Sequence, residues 1–143
     1  MSIRDYKMVL IRGPQGSGKS TFAKTVFPDH ALIEADDYFM IGGNYSFDHS
    51  ALTDAHKWCQ WRALKAYDNG IPIVVANTFS RVWEMEPYLS IASRTDMLIV
   101  RMDTQFQNIH SVPEHVVQAT KDRMEDLAGE LPSSLLQKSG WAA

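Results

Sequence analysis

The stretch Gly13-Pro-Gln-Gly-Ser-Gly-Lys-Ser, ending at Ser20, constrains this chain more than any other. Two glycines with four residues between them are followed at once by a lysine and a hydroxyl. The run Lys7 to Arg12 before it is apolar and strand-like, and Ser20 to Phe27 after it reads as a helix, which is the context this motif requires. Glycines at 13, 16 and 18 let the backbone turn tightly and bring its N–H groups against phosphate oxygens, where a Cβ would intrude. The helix opening near Lys19 points its positive end at the same place.

A loop of this kind assigns roles to its residues. Gly13, Gln15, Gly16, Ser17, Gly18, Lys19, Ser20 and Thr21 are the candidate nucleotide-binding set. Lys19 is placed to bridge the β- and γ-phosphates of ATP, and the Ser20 hydroxyl to coordinate Mg2+.

The rest of the chain alternates strand-length apolar runs with helix-period segments, which predicts a parallel sheet with crossover helices. Strands are expected near 7–12, 31–35, 71–76 and 97–100. The Ile-Val-Val centre of the third shows no polar alternation and suits burial on both faces. Residues 51–68 form the clearest helix, with Leu52, Ala55, Cys59, Ala63 and Ala66 on its core face and Asn69-Gly70 closing it. Trp58, Trp61 and Lys65 fall on another side, where the large aromatics either lie under a loop or make a contact surface for a protein partner or a second copy. A further helix is expected over 81–93, and a last one behind Ser111 as cap with Pro113 in its first turn. Residues 36–50 read as a packed loop or short helix around Gly42-Gly43-Asn44, with Tyr38, Phe39, Tyr45 and Phe47 about it. The tail, 129–143, is weakly patterned and expected to be partly loose.

With 143 residues, one domain spanning 1–143 is the expectation. A net charge of −3 argues against tight non-specific nucleic-acid binding while leaving room for a local phosphate site. Cys59 stands alone among apolar neighbours and reads as a buried thiol. With no apolar run of bilayer length and no signal-peptide core, the expected setting is cytoplasmic, away from membranes. His110 and His115 form the closest histidine pair, too little for zinc, so the expected metal is Mg2+ arriving with ATP.

In open α/β sheets ligands sit at the carboxyl ends of the strands, so the residues leaving each strand are the candidates for chemistry. The second strand delivers Glu34, Ala35, Asp36, Asp37 and Tyr38. Asp36 is the candidate general base and a metal ligand; Asp37 reads equally as a substrate contact or as the cap of a short helix. Asn77, ending the third strand, is a candidate for orienting Asp36 or the attacked phosphate, or a turn residue. Lys121 and Arg123 on the last helix are candidates for neutralising charge on the transferred group, with Arg123 the catalytic choice, or they belong to an exposed basic face. Arg62 is a candidate acceptor contact, and His56 more simply a packed histidine.

Together, Gly13 to Thr21, the Asp36-Asp37-Tyr38 step and Asn77-Thr78 resemble the polynucleotide-kinase-like group of P-loop kinases. The nearest resemblance is to small P-loop proteins of phages and bacteria labelled AAA-family ATPases. Shared features are Tyr45-x-Phe47 before an Ala-His-x-Trp-Cys helix (Ala55 to Cys59), Trp83 to Tyr88, and Gln107-Asn-x-His110-x-Val-Pro113. The likeness runs over about residues 7–125. It implies a three-layer P-loop NTPase fold of the α/β class. The sheet has about four parallel strands in the order 2-3-1-4, with helices on both faces. It also implies Asp36 as base for an acceptor hydroxyl on a nucleoside, nucleotide or polynucleotide end. The pattern departs from those kinases at Phe39, where they have arginine, and at Asn77, where they have aspartate. The alternative is an NTP-binding and hydrolysing module that acts through a partner on the Trp58 and Trp61 face. A GTPase is disfavoured, because Thr120-Lys-Asp-Arg lacks the guanine-reading spacing.

Overall fold

The computed structural model describes residues 2–103 and 112–136. Seven strands are present among them: β1 Met8–Arg12, β2 Ala31–Ile33, β3 Met40–Ile41, β4 Asn44–Tyr45, β5 Ile73–Asn77, β6 Met97–Arg101 and β7 Leu131–Pro132. Four α-helices accompany them: α1 Lys19–Val26, α2 Leu52–Asp68, α3 Glu86–Leu89 and α4 Glu114–Arg123. The main sheet has the order β2-β5-β1-β6-β7 and is parallel throughout. The four expected strands therefore stand in the expected order, and the difference is a fifth, two-residue strand added at one edge.

The lack of polar alternation in the strands has a direct cause. Met8, Leu10, Ile73, Val75, Met97 and Ile99 face one core with Ala55, Cys59 and Ala63 of α2. Val9, Ile11, Val74, Ala76, Leu98 and Val100 face the other, with Phe22, Ala23 and Val26 of α1. Both pleats of β1, β5 and β6 are covered, so each residue is apolar until the strand ends. The register then aligns Arg12 with Asn77 on one side and Arg101 on the other. These three polar residues mark the carboxyl edge of the sheet, where the phosphate loop begins.

Several expectations need correction. The helix expected over 81–93 is instead a 3-10 turn, Val82–Met85, followed by the four-residue α3, Glu86–Leu89. Pro87 explains this, because it has no N–H to donate and fits only a first turn. The second strand stops at Ile33 and the chain enters a 3-10 turn at Ala35–Phe39. Glu34 occupies the cap position of that turn and Asp37 lies inside it, so the capping role for Asp37 is overturned. The loop after it holds a small antiparallel hairpin, β3 with β4, turned by Gly42 and Gly43 at positive φ. Pro113 takes the cap position of α4 rather than its first turn; Gln107, His110 and Ser111 lie outside the described residues. The tail is built in as far as Leu136, which is buried in the α1-side core. No described helix is long and apolar enough to cross a membrane.

Candidate active site

The phosphate loop leaves β1 at Gly13 and closes on α1 at Lys19. Gly18 caps the helix at φ 88° and Gly16 stands at φ 74°, both in the left-handed region that favours glycine. Gly13 is needed for space: a Cβ there would lie 2.7 Å from Ser17 Oγ and 2.9 Å from Met102 Cβ. The first turn of α1 carries no acidic residue of its own, and its positive end favours an anion.

Lys19 folds back over this loop and donates to the carbonyls of Gly13 at 2.8 Å and Pro14 at 2.9 Å. Burial lowers its pKa to about 8, against the opposing pull of Asp36 and Glu34. Those two carboxylates are therefore close enough for their fields to reach the ammonium. Ser20 Oγ donates a hydrogen bond to Glu34 Oε1. Burial raises the Glu34 pKa, with the Ser20 bond opposing it, Asp37 and Asp36 adding to it and Lys24 lowering it. Asp36 is exposed and accepts from the Tyr45 hydroxyl at 3.3 Å.

The sequence did not single out Glu34, yet it reaches the residue placed for Mg2+. The signal was available in the i, i+2 pair Glu34 and Asp36. Because the 3-10 turn starts at Ala35, between them, one carboxylate meets Ser20 and the other faces solvent. Oxygen donors from Ser20, Glu34 and Asp36 are of the hard type that Mg2+ takes. Among the described residues no three His, Cys, Asp or Glu side chains group to hold a metal.

Asn77 is buried, and its Oδ1 accepts the backbone N–H of Ala35 at 2.9 Å. Its amide thus fixes the backbone between Glu34 and Asp36 instead of touching the Asp36 carboxylate. Asp37 is exposed beside Asp36. Arg62 lies over the Trp58 ring at 4.5 Å, and Tyr38 meets the same ring edge-on. Tyr45 and Phe47 stack at 13° and are half-exposed. With Phe39 they form an aromatic wall joined to Asp36 through the Tyr45 hydroxyl. Trp61 is 58% exposed, whereas Trp58 packs partly into the core. Thr21 is exposed one residue past Ser20. Cys59 is fully buried, and burial pushes its pKa up to about 12.

On the other side of the loop a cavity of about 340 Å³ is lined by Pro14, Ser17, Arg101, Met102, Asp103, Lys121 and Met124. Ser17 Oγ is buried there, with no hydrogen-bond partner among the described residues. Of the two basic residues considered on α4, Lys121 lines this cavity. Arg123 is exposed and donates to Thr120 Oγ1 at 3.2 Å.

A family model described as an AAA domain matches residues 8–107, from β1 through the phosphate loop and past β6. The chain belongs to this AAA-domain family. Over 91 residues this AAA domain is 43% identical to NEDD4-binding protein 2 of Homo sapiens, an alignment that covers 61% of the chain and 5% of the human protein. The chain therefore matches only a small part of that relative's length. Among solved structures it is similar to a gluconokinase from Sinorhizobium meliloti 1021, with a TM-score of 0.65 and 15% identity over 90% of this chain and 82% of the other. A sugar kinase from Janibacter sp. HTCC2649 gives a TM-score of 0.59 and 14% identity, covering 88% and 82%. At these identities the likeness establishes a shared fold, that of P-loop kinases. The AAA domain thus combines a kinase-like fold with an intact phosphate loop, the equipment of a kinase or ATPase.

Proposed function

We propose that the chain is an ATP-dependent phosphotransferase that moves the γ-phosphoryl group to a hydroxyl on a nucleoside, nucleotide or polynucleotide end. The observation that carries this reading is the meeting of Lys19, the Ser20–Glu34 pair and Asp36 at one end of the sheet. In this account the loop amides and Lys19 hold the triphosphate, Lys19 exchanging its two carbonyl partners for phosphate oxygens. Ser20 and Glu34 would hold the Mg2+, which when bound would supply positive charge to offset that of the phosphate oxygens. The acceptor oxygen bonds to the γ-phosphorus as the bond to the bridging oxygen breaks. The electron pair of that bond leaves with ADP, and Asp36 takes the acceptor's proton. Lys121, from the cavity side, supplies further positive charge to the nucleotide.

The wall of Tyr38, Tyr45, Phe47 and Trp58 beside Asp36 favours an acceptor that carries a base, because bases stack on aromatic faces. In this account Arg62, resting on Trp58, would meet an acceptor phosphate. The exposed Trp61 favours the second reading, a slow hydrolase acting through a partner on that face.

Incubation with γ-labelled ATP and a panel of nucleosides, 5′-hydroxyl oligonucleotides and sugars separates the two. Label on a base-bearing acceptor is expected, with Asp36→Asn keeping ATP affinity and losing roughly 10²–10⁴ in transfer rate. Release of free phosphate alone, unchanged in Asp36→Asn, would support the hydrolase.

A further inference from the structure

Arg12 is fully buried at the end of β1, directly before Gly13. The proposed phosphotransfer does not use its charge. Its guanidinium reaches two targets. Nε and Nη2 donate to the Phe79 carbonyl at 3.0 and 2.8 Å, and Nη2 also to the Ser80 carbonyl at 3.2 Å. Nη1 donates to Glu130 Oε1 at 2.8 Å.

The first target is a strained turn. Phe79 has φ 46°, in the left-handed region that a bulky side chain occupies only where its surroundings hold it there. The Arg12 fork on its carbonyl and the edge-on packing of its ring on Tyr88 at 5.6 Å do so. The same turn presents the Thr78 carbonyl to the Gly13 N–H at 3.1 Å, and the Gly13 carbonyl receives Lys19. The root of the phosphate loop is therefore fixed between β1 and a turn that Arg12 keeps in place.

The second target belongs to the segment joining α4 to β7. Glu130 Oε2 accepts from the Leu127 N–H at 3.1 Å and from Arg101 at 3.4 Å. The Ser80 carbonyl accepts the Glu125 N–H at 2.8 Å, and Glu125 Oε1 accepts the Val82 N–H. Just upstream, Lys121 and Met124 line the cavity against Pro14 and Ser17.

We infer that Arg12, held by Glu130, is a positioning residue that couples the connector 125–130, and with it the α4 wall of the cavity, to the phosphate loop. Nucleotide binding and the ordering of that connector are then linked. This rests on the reading of the loop as a nucleotide site.

Hydrogen exchange on the wild-type protein, with and without a non-hydrolysable Mg–ATP analogue, tests the link without any mutation. Slower exchange is expected at residues 125–130 as well as in the loop. Glu130→Gln keeps the shape and removes the charge, and Arg12→Lys keeps the charge and removes the fork. Both are expected to raise the Kd of the analogue by about tenfold or more, while kcat at saturating ATP changes by less than about threefold. An unchanged Kd in variants whose Tm has fallen makes the pair merely structural and overturns the coupling, as does connector exchange that ignores the analogue. Absence of binding by the wild-type protein overturns the site reading and the coupling together.

Discussion

Lys19 offers a test in solution. Burial holds its pKa near 8 in the free protein. A triphosphate laid against the ammonium raises that value again, because a nearby opposite charge favours the cationic form. Binding ATP is then tied to proton uptake, and affinity falls as pH rises through about 8. With a bound-state pKa well above 9, the apparent Kd increases relative to neutral pH by roughly twofold at pH 8 and roughly tenfold at pH 9. Titration of a fluorescent ATP analogue between pH 7 and about 9.5 reads this slope directly. Calorimetry at about pH 8.5 in two buffers of different ionisation enthalpy should show about 0.75 proton taken up per nucleotide. Lys19→Met should bind more weakly and lose the slope. The free protein gives a second readout of opposite sense. Because the folded pKa lies below the unfolded value, the unfolded chain holds more protons between about pH 8 and 10.5. The Lys19 contribution to stability therefore grows with pH across that window, by about 3 kcal/mol at most. An affinity that is flat from pH 7 to about 9.5, or a slope retained in Lys19→Met, refutes the argument.

Three other outcomes follow from the geometry. Glu34→Gln should weaken Mn2+ binding to the ADP complex by about tenfold, read by electron paramagnetic resonance, while leaving ADP affinity in EDTA within about twofold. Gly13→Ala, which sets a Cβ 2.7 Å from Ser17 Oγ, should cost about 1–3 kcal/mol in denaturant unfolding and remove nucleotide binding. Phe47→Ala should raise KM for a base-bearing acceptor by about tenfold, in line with the loss of one stacking contact, and leave KM for ATP unchanged.

The three central strands were legible because an uninterrupted apolar run has few alternatives to a strand covered on both faces. The phosphate loop was legible because Gly13 to Ser20 encodes its own backbone geometry. The helix over 81–93 failed because apolar spacing was read across Pro87, whose missing N–H ends the pattern whatever its periodicity. On an uninterrupted strand Glu34 and Asp36 would share one face. The 3-10 turn at Ala35 separates them, and this depends on Asn77 taking the Ala35 N–H from 42 residues away. Arg12 and Glu130 are 118 residues apart, and no local pattern announces a pairing of that length. The first part of the tail, as far as Leu136, gave no local pattern for the same reason, since its order comes from Arg12, β6 and the α1-side core.

A crystal structure with Mg2+ and a non-hydrolysable ATP analogue tests the central claim most directly. The account predicts the triphosphate in the loop between Gly13 and Ser20, with Lys19 Nζ turned from the Gly13 and Pro14 carbonyls onto phosphate oxygens. It also predicts the metal on Ser20 beside Glu34, and Asp36 facing the terminal phosphate. A triphosphate bound elsewhere, or Lys19 still held by the two carbonyls with the analogue in place, contradicts it.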